Sequence, residues 1–175
     1  TEVSKKEKKN YAPELYDLTT LQKEASKRYG FSPKQTLNIM QSLYEHHKVL
    51  TYPRTDSRYL TNDMTDTLKD RIKACQNGSY KKAAAALLRK EIKASSRFIN
   101  DKKVSDHHAI LPTKEAVEKG ISDLTADKKN LMMLVCQQLV QATGEEYQYE
   151  QTDIMVKCQG HDFTARGKVP VQMGF

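Results

Sequence analysis

The segment SPKQTLNIMQSLYEHHKV, residues 32–49, constrains the fold more than any other stretch of the chain. Ser32 is a good N-cap and Pro33 suits the first helical turn. Leu37, Met40, Leu43, Tyr44 and His47 recur at helical spacing. Before it lies LTTLQKEASKRYG, where Thr19 falls near the cap, Leu21 and Ala25 share a face, and Gly30 is the stop. An extended VLTYP follows at once. Two short helices, a brief connection and an extended segment predict a helix-turn-helix with a wing.

Helical patterning continues in TNDMTDTLKDRIKACQ, with Thr61 as cap, and in YKKAAAALLRKEIKA, which is helical on propensity alone. TADKKNLMMLVCQQLVQAT adds a further helix, capped by Thr125, with Leu131, Leu134, Val135 and Leu139 on a broad apolar face. Residues 95–112 lack periodicity and read as a long loop, a feature that is usually functional or disordered. After Gly144 the pattern changes: YQYEQTDIMVKC, QGHD and FTARGKVPVQ read as a β-hairpin with a Gly-containing turn. The lysine-rich residues 1–12 read as a further strand. The expected fold is mainly α, a winged-helix-like helical domain with short β strands at both chain ends that pair with each other.

A net charge of +7 and a pI of about 9.2 favour a polyanionic partner, nucleic acid first. Mean hydropathy is −0.74, and no apolar run approaches the roughly 18 residues of a membrane span, so a soluble chain without membrane contact is expected. Cys75, Cys136 and Cys158 form no Cys-x-x-Cys pair, which points to reduced cytosolic thiols rather than a zinc site or disulfide framework. The first residues carry no secretory signal. The missing initiator Met and the abrupt VPVQMGF end lead us to expect a piece of a longer protein.

Two stretches carry chemistry. In LTYPRTDS, residues 50–57, Pro53 pushes Tyr52 toward an extended conformation, so Tyr52 and Arg54 face the same way. A phenol has a pKa of about 10 and is a poor nucleophile unless a cation favours the phenolate. Arg54 supplies such a cation and can also hold a phosphate oxygen. The plainer reading is an exposed turn, since Pro-Arg-Thr-Asp-Ser carries ordinary turn residues. In SDHHAILPT, residues 105–113, His107 and His108 are adjacent and therefore point apart, which speaks against one shared metal ion. A phosphate-facing His107 fits better, anchored by the apolar Ala109-Ile110-Leu111.

Together these stretches resemble the type IA DNA topoisomerases, topoisomerase III branch. Tyr52-Pro53-Arg54-Thr55-Asp56-Ser57 is similar to the family's nucleophile motif. The run from His107 to Thr113 resembles its His-x-Ala-Ile-x-Pro signature, and DLTTLQKEAS resembles the opening of the same domain. The resemblance implies transient cleavage of single-stranded DNA through a 5′-phosphotyrosyl link, strand passage, and religation without ATP: a DNA isomerase. Carried over, Tyr52 is the nucleophile, Arg54 its activator and clamp, and His107 an assistant at the scissile phosphate. Thr55, Asp56, Ser57 and His108 contact DNA or shape the loop. His108 stands where the topoisomerase I branch commonly has an acid.

The resemblance also implies Mg²⁺ held by a Toprim domain that this chain lacks, with no cofactor inside the chain and little activity without that domain. Residues 1–12 and 148–175 would belong to an adjoining arch-shaped β domain, and 13–147 to the tyrosine-bearing domain. Partners would be single-stranded DNA and the other domains of a monomeric, cytoplasmic, nucleoid-associated bacterial enzyme. The competing expectation is a non-enzymatic winged-helix module binding duplex DNA through residues 32–49. That helix offers only Lys34 and Lys48 to a duplex backbone.

Overall fold

A computed structural model describes residues 1–175. Its elements are strand β1 (Glu2–Asn10), helices α1 (Leu18–Tyr29), α2 (Pro33–Glu45), α3 (Leu68–Ala74), α4 (Lys81–Leu88), α5 (Glu115–Lys119) and α6 (Ala126–Ala142), and strands β2 (Tyr147–Cys158) and β3 (His161–Gln172). Short 3-10 segments cover Asn62–Thr67, Gly78–Tyr80 and Asp101–Lys103. The fold is thus mainly α with one three-stranded antiparallel sheet. The chain divides into two units: residues 1–12 with 144–175, and residues 13–143.

In the sheet unit β2 lies between β1 and β3. β1 pairs with β2 from Glu2↔Met155 to Asn10↔Tyr147, and β3 folds back along β2 to Cys158↔His161. The two-residue turn between them has φ of 48° at Gln159 and 78° at Gly160, the left-handed pair whose twist suits a hairpin. The expected hairpin and the pairing of the two chain ends are both present.

The helical unit is built around α6, which buries Leu131, Met132, Leu134, Val135, Cys136, Leu139, Val140 and Ala142. Its first half joins Leu21, Ala25, Met40, Leu43, Val49 and Leu50 in one cluster. Its second half joins Leu15, Leu60, Leu68, Ile72, Phe98 and Leu111 in another. Ala109-Ile110-Leu111 alternates between them: Ile110 enters the first cluster, Ala109 and Leu111 the second. A segment of irregular backbone is thereby nailed down from two sides just after His107.

α2 begins as its sequence predicts, with Ser32 accepting from Gln35 N–H at 3.1 Å and Pro33 in the first turn. It stops at Glu45, so His47 lies beyond it, and Lys48 takes a left-handed φ of 59°. α1 is capped by Asp17 rather than Thr19. Asp17 accepts from Thr20 N–H at 2.7 Å while the Thr20 hydroxyl reaches back, a reciprocal box. The run YKKAAAALLRKEIKA is helical only to Leu88. Propensity would extend it, but beyond Leu88 only Ile92 has a core to pack against, and packing sustains short helices.

Candidate active site

The nucleophile-like motif sits on a loop with a tied neck. On one side Thr51 N–H donates to Leu111 O at 2.9 Å and Leu111 N–H returns to Thr51 Oγ1 at 2.9 Å. On the other, Ala109 N–H donates to Tyr59 O at 2.9 Å. Residues 52–58 project between these ties. Within the projection Pro53, Thr55 and Ser57 are buried while Arg54 and Asp56 are exposed. A tight turn, Thr55 N–H to Pro53 O at 3.0 Å, puts Arg54 at its apex.

The inward side chains hold this shape. Thr55 Oγ1 donates to His107 O at 3.0 Å and accepts from Ser57 N–H at 3.1 Å. Ser57 Oγ donates to Lys103 O at 2.7 Å and accepts from Tyr59 N–H at 3.1 Å. With exposures of 6% and 4%, Thr55 and Ser57 fasten the loop to residues 103–107 instead of facing solvent. The loop also steadies α1, because Leu18 N–H, one of the helix's orphan donors, reaches Thr55 O at 3.0 Å.

Tyr52 is half-buried between two rings. His107 lies 4.2 Å away between centroids, tilted by 37°, and Tyr44 meets it edge-on at 5.4 Å. His107 is exposed, and with Arg54 and Asp56 it borders an open groove of about 480 Å³ that begins at the first residues of α1. The two sequence stretches thus meet, through Tyr52 with His107 and Thr55 with the His107 carbonyl.

His108 points elsewhere, as adjacent residues of an extended segment must. It is half-buried, with Nδ1 2.6 Å from Ala109 O. Burial holds its pKa below the usual 6.5, aided by Arg71 and His107 and opposed by the Ala109 carbonyl. Its ring therefore favours the neutral state and does not border the groove.

Sequence reasoning missed three contributors. Tyr44 looked like one more apolar-face residue of α2, yet it backs the Tyr52 ring. Arg58 bridges Asp17 at 3.0 Å and Glu14 at 2.9 Å, pinning the far end of the loop to the start of α1. Asp17 itself is pushed up by burial, but hydrogen bonds from Thr20 and the Arg58 guanidinium outweigh this and hold its carboxyl below its ordinary range. The Asp-x-x-Thr spacing at 17–20 was the available signal for that cap. No three His, Cys, Asp or Glu side chains gather to hold a metal ion, and no helix is long and apolar enough to cross a membrane.

A buried brace, an outward arginine, and a tyrosine seated on a histidine that borders a groove make up the site. The family model for DNA topoisomerase matches residues 1–175, and the chain belongs to that family. Within it the chain is of type IA, topoisomerase III branch. It is 47% identical over 174 residues to DNA topoisomerase 3 of Bacillus anthracis and 44% identical over 174 residues to that of Bacillus licheniformis. Each match covers 99% of this chain and 24% of the relative, so the chain spans about a quarter of the length of these curated relatives. The full-length topoisomerase I of Thermotoga maritima superposes with a TM-score of 0.63 at 25% identity, over 98% of this chain and 27% of that one.

Proposed function

We propose that this chain is the tyrosine-bearing part of a bacterial type IA topoisomerase and that Tyr52 is its nucleophile. The observation that carries the reading is the seating of Tyr52 against His107 beside Arg54, on a loop whose inward residues are all engaged. Such a loop keeps its shape when a strand arrives, so the reacting groups are positioned in advance. The phenol oxygen attacks a phosphodiester of single-stranded DNA. One oxygen–phosphorus bond forms, the bond to the 3′ oxygen breaks, and that oxygen leaves with a proton as a free hydroxyl. Reversal reseals the strand, and because one phosphoester replaces another no ATP is consumed.

Arg54, exposed at the apex of its turn, clamps the charge that grows on the phosphate oxygens. His107 donates to the same phosphate or relays the phenol proton. Asp56 borders the groove and contacts the strand. Thr55 and Ser57 brace the loop, and His108 supports the His107 segment from behind. By resemblance, Mg²⁺ would be held by a Toprim domain outside this chain, and no step of this chain's chemistry is routed through it. Residues 13–143 act as a winged-helix-like gate and the three strands as part of an arch in a monomeric, cytoplasmic enzyme.

The test uses the full-length protein, a labelled single-stranded oligonucleotide and Mg²⁺, resolved on a denaturing gel. A DNA-linked band that vanishes in Tyr52→Phe is expected. A band of undiminished intensity in that variant would mean that another residue is linked, and the assignment would fall.

A further inference from the structure

Beyond Tyr44 three lysines converge on the end of α2. Lys119 Nζ donates to the His47 carbonyl at 3.0 Å, and Lys128 Nζ stands 2.9 Å from His47 Nε2. Lys48 Nζ lies 5.8 Å from the centre of the Tyr44 ring, which itself meets Tyr52 edge-on. Lys48 also carries a left-handed φ of 59°, a conformation usually left to glycine at a helix end.

Helix termini recruit cations for ordinary reasons, and Lys119 on a carbonyl at the end of α2 is such a case. Lys128 is not. It sits in the first turn of α6, where the helix dipole disfavours a cation, and its ammonium faces a ring nitrogen rather than a carboxylate. His47 is kept below its usual pKa by burial first, then by Lys128, His46 and Lys119. None of the three lysines joins an ion pair. The nearby acids are otherwise placed: Glu45 is bonded to Gln41 at 2.5 Å, Asp127 is exposed, and Glu115 feels Lys119 from a helical turn away. Like charges gathered with no carboxylate in ion-pair contact favour an incoming anion.

We propose that Lys48, Lys119 and Lys128, grouped around His47, form a second anion seat that takes a backbone phosphodiester of the strand whose scissile phosphate lies at Tyr52. The proposal rests on the reading of Tyr52 as the nucleophile. The seat is linked to Tyr52 through the single ring of Tyr44, and phosphates recur at least every 3.4 Å or so along a strand. It therefore engages a phosphate within about three nucleotides of the cleaved bond and sets the register of the strand there.

The experiment places one neutral methylphosphonate at successive positions of a single-stranded oligonucleotide. Binding to the full-length protein is measured with native Lys128, with Lys128→Gln and with Lys128→Arg. At one position near the cleaved bond the neutral linkage should weaken native binding about five- to tenfold and leave Lys128→Gln unaffected. The salt slope of log K for Lys128→Gln should be shallower by about 0.7, the value for one lost phosphate contact on a single strand. Lys128→Arg should restore both. If the two losses multiply at every position, the seat does not exist. Scoring the covalent band on the unmodified oligonucleotide separates the two ideas. A Tyr52-dependent band with multiplicative losses sinks the seat alone; position-specific coupling without such a band keeps the seat and sinks the nucleophile.

Discussion

Thr55→Val removes one hydroxyl and little else, and the structure makes its cost calculable. That hydroxyl donates to His107 O and accepts from Ser57 N–H, at 3.0 and 3.1 Å, in a site 6% exposed. Valine matches the shape but pairs with neither group, so one carbonyl and one amide lose their partner. Each such loss costs roughly 1–3 kcal/mol when water cannot replace the bond. We take about 2 kcal/mol for the pair, since the His107 carbonyl borders exposed residues. With an m-value of about 2 kcal/mol/M, the urea midpoint should fall by about 1 M. Thr55→Ser keeps the hydroxyl and loses one methyl, about 0.8 kcal/mol, so its midpoint should fall less than half as far. Formation of the DNA-linked band should drop more in Thr55→Val than in Thr55→Ser, because only the former unties the loop from His107. A Thr55→Val midpoint within 0.2 M of the native protein, with undiminished band formation, would refute the idea that this hydroxyl joins the two segments.

Two further outcomes are expected of the helical unit. Asp17→Asn keeps an N-cap acceptor but removes the charge facing Arg58. Because the folded-state pKa of Asp17 is depressed below its ordinary 3.8, its ionic contribution is present above that value and lost as pH falls through the lower folded one. Denaturation midpoints of native and variant proteins should therefore differ at pH 7 and converge below about pH 3.8; a gap that persists into strong acid would contradict this. Gly30→Ala places a methyl group in open space but forces alanine to a φ of 69°. It should cost about 1 kcal/mol and lower Tm by a few degrees, and an unchanged Tm would argue against the left-handed cap.

The start of α2 and the hairpin were legible because their signals are local, whereas the cap of α1 was placed at Thr19 instead of Asp17. Ser32 with Pro33 and the turn at Gln159-Gly160 need no distant partner to act. The meeting of Tyr52 with His107 was legible for a different reason: a family resemblance joined two segments that no periodicity connects. The end of α4 was not legible, since only the position of the core shows that residues after Leu88 have little to pack against. Nor was the inward turn of Thr55 and Ser57 foreseen. Alternation along an extended segment separates odd from even residues, but which set faces inward depends on residues 103–107, far away in sequence. The lysines around His47 come from three separate segments and left no mark in any one of them.

The ladder that pairs Asn10 with Tyr147 has a consequence for how the chain folds. Residues 13–143 are an insertion in the chain between two paired strands, a guest enclosed in sequence by the ladder pair Asn10 and Tyr147. Closing a loop of about 130 residues costs on the order of 4 kcal/mol, and the folded guest removes that cost from strand pairing. β1 should therefore zip onto β2 late, after the helices have formed. Any substitution that loosens the guest should also speed hydrogen exchange in β1, far from it in the folding order.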